Sequence, residues 1–467
     1  MKATSSRSRH PFMLRAATVT MARLSPLFVS LLIAILSLGV ADHHGRTKPG
    51  APPVSAKPAI SPFALSRLAS SQADLGFQLF HKLGEASPGQ NVLFSPLTTS
   101  AALMMLLAGT AHQTETQLTN ALRLQFLRDP NPQASFQALV SKLHHDHDST
   151  NIAARIFTAK DAKIKQQFLD AVEKYHKAKP QNLIGNVKED VALINKWVAE
   201  KTEGHIPDLI KELPADLQLF IVSAIFFKGK WLNPFQVEST SPRPFHLSPT
   251  NETQVPTMFA SDYPVKKGRH PSLPVTVAQI QFQGNTSLLL FVPDAVSTNL
   301  SALESSLSSQ LVTTLVEETL VQKKINLQLP LISLDVESDL KQTLTDIGLG
   351  DLFNAPDLSK ISDTPIRVSK VIHRATMTLN EEGVKAAAAT GIMISLTSAR
   401  LPEELKVDRP FVFLIRDDET GALLFAGRVT NPPPVPEKKK KHGDTSSSEE
   451  HGKEGKRGKK EGKKHHH

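Results

Sequence analysis

The sequence predicts a large domain of the α+β class, with helices concentrated in its first half and strands in its second. Apolar residues recur at the three- and four-residue spacing of helices between Ser66 and Leu107. From Ile221 onward, apolar and polar residues often alternate, as they do in strands. Neither end of the chain shows an apolar period. We therefore expect one folded domain that is smaller than the full 467 residues.

The N-terminus has the pattern of a secretory signal peptide. Several arginines precede a mostly apolar run from Leu27 to Ala41, which ends in the small residues Gly-Val-Ala. We predict that residues 1–41 are a signal peptide cleaved after Ala41, since the run is short for the alternative, a membrane anchor. Residues 42–64 lack an apolar period and are expected to form a flexible leader. These features predict a secreted protein of the extracellular space without a membrane anchor.

Two apolar helices are predicted near the start of the domain. The first begins at Ser66 and closes in the segment Gly84–Gly89, and the second opens at Phe94-Ser95-Pro96 and runs through Leu107. The residues predicted to face the core from these helices are Leu68, Leu75, Leu79, Leu83, Leu97, Ala101, Met104, Met105 and Ala108.

The run His144-His-Asp-His-Asp148 contains side chains of the types that bind metal ions. Nothing in its spacing places these side chains on one face of an element, and no second set of ligands is evident elsewhere. We interpret the run as a solvated loop and predict neither a metal site nor a cofactor.

Strand patterns dominate the second half of the chain. Segments Val275–Phe282 and Leu288–Val292 flank Gly284-Asn285, which predicts a hairpin. Ile325–Leu329 alternates as a strand, whereas Asp339–Gly348 has the pattern of an amphipathic helix with a glycine stop. The final strands are predicted at Phe411–Arg416 and Leu423–Val429.

A strand followed by an alanine-rich stretch is the most unusual feature of the sequence. Val371–Leu379 alternates, with His373 on the apolar face. The following residues, 384–394, have one uncharged face if they form a strand, with Lys385 on the other face. Glu, Lys and Ala are also good helix formers, so local propensity leaves an alanine-rich helix as an equal alternative.

The C-terminal residues 436–467 consist mostly of Lys, Glu, Gly, Ser and His, and are predicted to be disordered. Much of the formal net charge of +9 lies here, so the domain itself is closer to neutral. We therefore do not predict nucleic-acid binding. The tail is either a solubilising segment or a contact for polyanions or acidic protein surfaces.

The sequence contains none of the motifs that would indicate a hydrolase or a nucleotide-binding enzyme, such as Gly-x-Ser-x-Gly, His-Glu-x-x-His or a phosphate-binding loop. It contains no cysteine, which excludes disulfides and thiolate sites. The prediction is that the protein is not an enzyme.

Six motifs, in the same order, resemble the serpin superfamily. Glu381–Thr390 is similar to the hinge of the reactive-centre loop in inhibitory serpins. The other motifs are Asn91–Pro96, Ile194–Val198 with Thr202–Gly204, Ser223–Trp231, Val407–Ile415 and Thr420–Pro432. The resemblance covers roughly Ser66 to Pro432, and the predicted serpin domain is residues 65–435.

The resemblance implies a fold of three β-sheets and about nine helices with an exposed reactive-centre loop. It also implies a mechanism, in which a serine protease cleaves the loop and the hinge then inserts into the central sheet as a new strand. The implied hinge residues are Glu381, Glu382, Gly383, Val384, Lys385, Ala386, Ala387, Ala388, Ala389 and Thr390. The implied shutter, which lets the sheet open, comprises Ser95, Thr98, Ser223 and His373, although many relatives have Asn where this chain has Ser223.

The scissile bond is left open within the window Leu396, Thr397, Ser398, Ala399, Arg400 and Leu401. Counting from Gly383 places the specificity residue at Thr397, and counting back from Arg409 places it at Ala399. Arg400 is slightly favoured, because it is the basic choice for a trypsin-like protease. Leu396, like Met393 before the window, would suit a chymotrypsin-like enzyme.

The serpin resemblance leaves two functions open. The hinge is similar to that of an inhibitory relative, whereas Asp417–Phe425 is similar to a non-inhibitory secreted factor that binds heparin and collagen. By the same resemblance, Lys160, Lys163 and Lys165 form a weak candidate site for heparin or another glycosaminoglycan, interrupted by Asp161. The expected partner is an extracellular serine protease, and the chain is expected to be a monomer. Three glycosylation sequons begin at Asn251, Asn285 and Asn299.

Overall fold

The computed structural model describes residues 60–127, 131–144, 150–383 and 402–432. The predicted signal peptide, most of the leader, the run His144–Asp148 apart from the backbone of its first residue, and the C-terminal tail lie outside the described residues. None of the helices in the described ranges is long and apolar enough to cross a bilayer.

Ten α-helices are found in the described part of the chain. They are α1 (Pro62–Ala86), α2 (Pro96–Leu107), α3 (His112–Ala121), α4 (Pro132–His144), α5 (Gln166–His176), α6 (Val187–Lys201), α7 (Leu300–Ser306), α8 (Ser309–Thr314), α9 (Lys341–Leu344) and α10 (Asp351–Asn354).

The first two helices form where the sequence predicted them. Helix α1 begins at Pro62 rather than Ser66, because the Ser61 hydroxyl accepts from the free N–H of Ala64 and proline suits the first helical position. The leucines predicted to face the core from α1 are all buried. In α2 the predicted core residues Leu97, Met104 and Met105 are buried, whereas the two alanines are half-buried.

Within the described ranges, fourteen strands form two hydrogen-bonded sheets. The smaller sheet has the order β10 (Ile332–Asp339), β11 (Val368–Leu379), β4 (Leu219–Lys228), β2 (Thr150–Thr158) and β3 (Gln181–Asn182). The larger sheet has the order β1 (Val92–Phe94), β14 (Leu423–Val429), β13 (Phe411–Asp417), β8 (Thr286–Pro293), β7 (Val275–Gln281), β6 (Asn251–Arg269), β9 (Val321–Pro330) and β12 (Glu404–Lys406), with β5 (Ser241–Ser248) paired to β6.

The long strand β6 explains why two sheets are seen where the resemblance implied three. The first half of β6 pairs with β5, and the last residues of β6 pair with β7. Strand β9 pairs with β6 along most of the length of β6. A register shift between Ala260 and Tyr263 separates the two halves. The two sheets expected beside the central one are therefore joined through β6. The α+β class and the serpin architecture are confirmed.

Most predicted strands are confirmed, and one predicted helix is corrected. The hairpin of β7 and β8 turns at Gly284, whose φ of 78° suits glycine. The predicted helix Asp339–Gly348 is shorter, because Asp339 stays in β10, where it pairs with Ile372. Helix α9 covers only Lys341–Leu344 and continues into a π-helical turn that contains Gly348 at a φ of 93°.

The smaller, central sheet is buried on both faces. Along β11 the predicted inward residues Val371, His373, Ala375, Met377 and Leu379 are all buried, at no more than 2% exposure. Ile372, on the opposite face, packs in a second apolar cluster that includes Trp197 of α6. Strand β4 is buried along nearly its whole length, as expected for the middle of a covered sheet.

Candidate functional site

Residues 380–383, which precede the alanine-rich stretch, follow the end of β11 and lie beside the segment that follows β4. Here the Trp231 N–H donates to the carbonyl of Glu382 at 3.0 Å, and Gly383 forms a parallel bridge with Trp231. The Phe235 N–H donates to the carbonyl of Glu381 at 3.2 Å. The first residues of the predicted hinge are thus hydrogen-bonded to the chain segment that follows β4.

Side chains reinforce this anchor. The Trp231 indole N–H donates to the carbonyl of Asn380 at 2.6 Å, and Lys228 lies 2.6 Å from the Glu382 carboxylate. The Thr240 hydroxyl donates to the Glu381 carboxylate at 2.7 Å. Because these ion-pair groups are substantially exposed, each contributes little to stability by itself. Together they define the direction in which the chain leaves the sheet.

Gly383 is required here by space. A Cβ atom at this position would lie 2.5 Å from the Trp231 carbonyl oxygen and 2.8 Å from the Pro234 side chain. Both distances are shorter than a carbon atom tolerates. A larger residue would therefore push the hinge away from the end of β4.

Strands β4 and β11 run parallel and are paired from Val368–Leu219 to Thr378–Lys228. Parallel pairs are slightly less stable per residue than antiparallel pairs, and each partner here has backbone donors and acceptors that a third strand could use instead. The hinge stands at the end of this pair. It is placed where a strand would have to enter in order to separate β4 from β11.

The predicted shutter residues come together beneath this pair. The Ser95 backbone N–H donates to Nε2 of His373 at 3.0 Å, so Nε2 carries no proton. The proton therefore lies on Nδ1, which donates to the Ser223 hydroxyl at 3.0 Å. Ser95 also caps α2 by accepting from the Thr98 N–H at 3.3 Å.

All four shutter residues are fully buried. Burial lowers the pKa of His373 to about 3, so the ring is neutral at physiological pH. The Phe94 ring packs edge-on against it, with 5.2 Å between ring centroids. Ser223 accepts the imidazole hydrogen bond at the position for which the resemblance implied Asn in many relatives. A hydroxyl thus suffices to complete the link between α2, β4 and β11.

The other end of the loop is anchored on the larger sheet. The Glu403 carboxylate lies 2.8 Å from Lys267 and 2.9 Å from Lys323, and these hydrogen bonds hold its pKa below the usual value. Strand β12 follows and pairs with β9. The two ends of the loop are therefore held by different sheets.

The described residues include only part of the predicted loop. Glu381, Glu382 and Gly383 lie just after the end of β11, beside the segment that follows β4. Val384–Thr390 and the scissile window Leu396–Leu401 lie outside the described residues. The choice between strand and helix for that stretch is consequently left as a prediction.

Several anchoring residues were not identified from sequence. Trp231 lies in a motif that resembles the family, but nothing in the sequence indicated that it binds Asn380 and Glu382. Lys228 and Thr240 gave no signal, since their partners are distant in sequence. The position of Glu403 next to a strand is a signal that sequence reasoning could have used. Its two lysine partners could not have been found in this way, because they come from two separate strands.

The remaining predicted sites lie at the surface with different environments. Lys160 and Lys163 are exposed, whereas Lys165 lies 2.5 Å from Asp363 and is half-buried. Asn251 and Asn299 are exposed and Asn285 is half-buried. Asn299 also caps α7, because its side-chain oxygen accepts a hydrogen bond from the Ser301 N–H. Across the described ranges, no group of three or more His, Asp or Glu side chains is arranged to hold a metal ion.

Comparison with known proteins agrees with this architecture. A family model described as serpin (serine protease inhibitor) matches residues 70–432. Pigment epithelium-derived factor from Bos taurus is 30% identical, over 85% of this chain and 97% of the relative. Alpha-2-antiplasmin from Bos taurus is 34% identical, over 86% of this chain and 79% of the relative.

A solved structure agrees as well. The crystal structure of mouse protein-Z dependent protease inhibitor matches with a TM-score of 0.73 and 27% identity, over 80% of this chain and 100% of that one. The motifs pointed to the branch that contains pigment epithelium-derived factor and α2-antiplasmin, and both are found among the relatives. The chain belongs to the serpin family.

Proposed function

We propose that the protein is a secreted inhibitor of an extracellular serine protease, which it traps by cleavage of its loop and insertion of the hinge between β4 and β11. The observation that carries the proposal is the pairing of Glu382 and Gly383 with Trp231 at the end of the parallel pair. Insertion would extend a contact that already exists.

The mechanism begins when the protease serine attacks a carbonyl carbon in the window Leu396–Leu401. The peptide C–N bond breaks, the protease remains joined to the hinge side as an acyl-enzyme, and the new amine stays with the β12 side. Before cleavage the loop is tethered to both sheets, through Gly383 and Glu403. Cleavage separates these tethers and frees the hinge to move.

The energy for trapping comes from completing the central sheet. As a strand, the hinge can exchange hydrogen bonds with both β4 and β11, and its small, uncharged alternate residues can face the core. Opening the sheet requires the hydrogen bonds of the predicted shutter to break. The link from Ser95 through His373 to Ser223 crosses from β11 to β4, the two strands that must separate. The protease would be carried along and distorted before it could hydrolyse the acyl bond.

The direct test is incubation of the secreted protein with a panel of trypsin-like and chymotrypsin-like serine proteases. We expect at least one to form a covalent complex that survives SDS. Mass spectrometry of the released peptide then gives the scissile bond, and Arg400 is the favoured residue. Cleavage by every protease of the panel without any complex would contradict the proposal.

The second candidate is a non-inhibitory secreted factor that binds glycosaminoglycans. The similarity to pigment epithelium-derived factor and the exposure of Lys160 and Lys163 favour it. The same protease panel separates the two functions, because this candidate would be cleaved without trapping.

A further inference from the structure

A cavity of about 440 Å³ lies beside β2, away from the hinge and the shutter. Its walls come from α2, α4, α5, α6 and β2. Met105, Phe136 and Ile152 supply an apolar lining, and the volume falls within the range of small-molecule sites. Nothing in the proposed inhibitory mechanism uses this cavity.

Two hydrogen-bond donors at the cavity are buried without a partner. The Trp197 side chain is 8% exposed, and its indole N–H meets no acceptor among the described residues. The same is true of the Nε–H group of Arg155. Buried donors are nearly always satisfied, and leaving one unpaired is unfavourable. Two of them lining one cavity indicate a missing acceptor.

The arrangement of Arg155 and Trp197 is held in place. The Arg155 guanidinium lies over the Trp197 ring, 4.6 Å from its centroid, and its Nη1 donates to Gln181 at 2.8 Å. These contacts use the face of the guanidinium and one of its nitrogen atoms. The Nε–H group of Arg155 and the indole N–H of Trp197 are not used by these contacts.

The charges around the cavity favour an anion. Arg155 is joined in the lining by the exposed Lys177 and Lys201. Glu173 and Glu200 lie close enough to act on Arg155, but they are exposed and do not line the cavity. His176 adds no charge at neutral pH, because burial lowers its pKa to about 4.

We propose that this cavity binds an amphipathic organic anion, with its acidic group on Arg155 and Trp197 and its apolar body against α2 and α4. The ligand class is a carboxylate on an aliphatic or aromatic body of medium size. A free inorganic anion would leave the apolar lining empty, and a neutral apolar compound would leave both donors unpaired.

The test is isothermal titration calorimetry of the full-length secreted protein with decanoate, with decanol as the neutral match. We expect one site with a Kd below about 100 μM for decanoate, in keeping with the efficiency of small ligands, and at least about tenfold weaker binding of decanol. Trp197 fluorescence should change on decanoate binding. No protease is involved, so the result is independent of whether the protein is an inhibitor.

Two site variants, one control variant and one fallback variant sharpen the test. Arg155→Met and Trp197→Phe should each weaken decanoate binding about tenfold, the usual effect of losing a hydrogen bond to a charged group. Lys196→Gln removes a charge from the same helix outside the cavity and should leave the Kd unchanged. If Arg155→Met or Trp197→Phe fails to fold, Lys201→Gln at the rim of the cavity should still weaken decanoate binding measurably. Equal binding of decanol and decanoate, an unaffected Arg155→Met, or no binding at all would overturn the proposal.

Discussion

His373 joins Ser95 and Ser223 of the predicted shutter through hydrogen bonds on both sides of its ring. It was predicted from alternation to lie on the buried face of its strand, and it does. Its partners were implied only by the family resemblance, since Ser95 and Ser223 lie 278 and 150 positions away in sequence. Local periodicity places a side chain on a face, but it cannot show which distant group meets it there.

The depressed pKa of His373 predicts a pH dependence of stability. Between pH 6.5 and about 3 the unfolded chain binds this proton and the folded chain does not, so the free energy of unfolding falls as the pH falls. His373 should contribute a slope of up to about 1.4 kcal/mol per pH unit below pH 6. His176 and His270 act in the same direction, because burial also lowers their pKa.

Urea unfolding at several pH values measures this slope. His373→Gln should be less stable at pH 7 by about 1–3 kcal/mol, because the buried Ser95 N–H or Ser223 hydroxyl loses its partner. Its stability should also fall less steeply below pH 6 than that of the natural chain. His246→Gln, on the β5–β6 hairpin, is the control for replacing a histidine elsewhere in the domain. Parallel pH curves for the natural chain and His373→Gln would argue against a neutral buried imidazole.

At the scale of elements, strands with one apolar face were predicted well and the short helices were not. The pattern of Asp339–Gly348 is helical, yet Asp339 is the last residue of β10, where it pairs with Ile372 of β11. Tertiary pairing there outweighs a small difference in local propensity. The anchor of the hinge was predictable only in part, because its contacts depend on how β4 and β11 lie side by side.

The hinge element predicts a difference between its two faces. Val384→Arg and Ala386→Glu place a charge on the face that must turn inward, and an unpaired buried charge costs several kcal/mol. Hydrolysis of the acyl-enzyme should then be faster than insertion of the hinge. The yield of SDS-stable complex should fall at least about tenfold. Lys385→Glu changes the outward face and should have a small effect. The ratio of complex to cleaved protein on a gel measures this, and equal loss in all three variants would contradict the strand register.

At the scale of the whole molecule, the fold class, the order of the motifs and the near-neutral domain with a charged tail could all be inferred from sequence. The joining of two sheets through β6 could not, since it depends on a register shift inside one strand. Nor could the buried pair of Arg428 and Glu304, which are 3.0 Å apart and connect β14 to α7. Each of these features depends on residues that are distant in sequence and adjacent only after folding.

Insertion of the freed hinge between β4 and β11 is tested most directly by the unfolding temperature before and after loop cleavage. A single cut between Thr390 and Leu401, verified by mass spectrometry, leaves the composition of the protein unchanged except for one hydrolysed bond. A new strand adds hydrogen bonds to both neighbours, each contributing about 1 kcal/mol, so the unfolding temperature should rise by more than about 10 °C. An unchanged or lower unfolding temperature after clean cleavage would mean that the hinge does not enter the sheet.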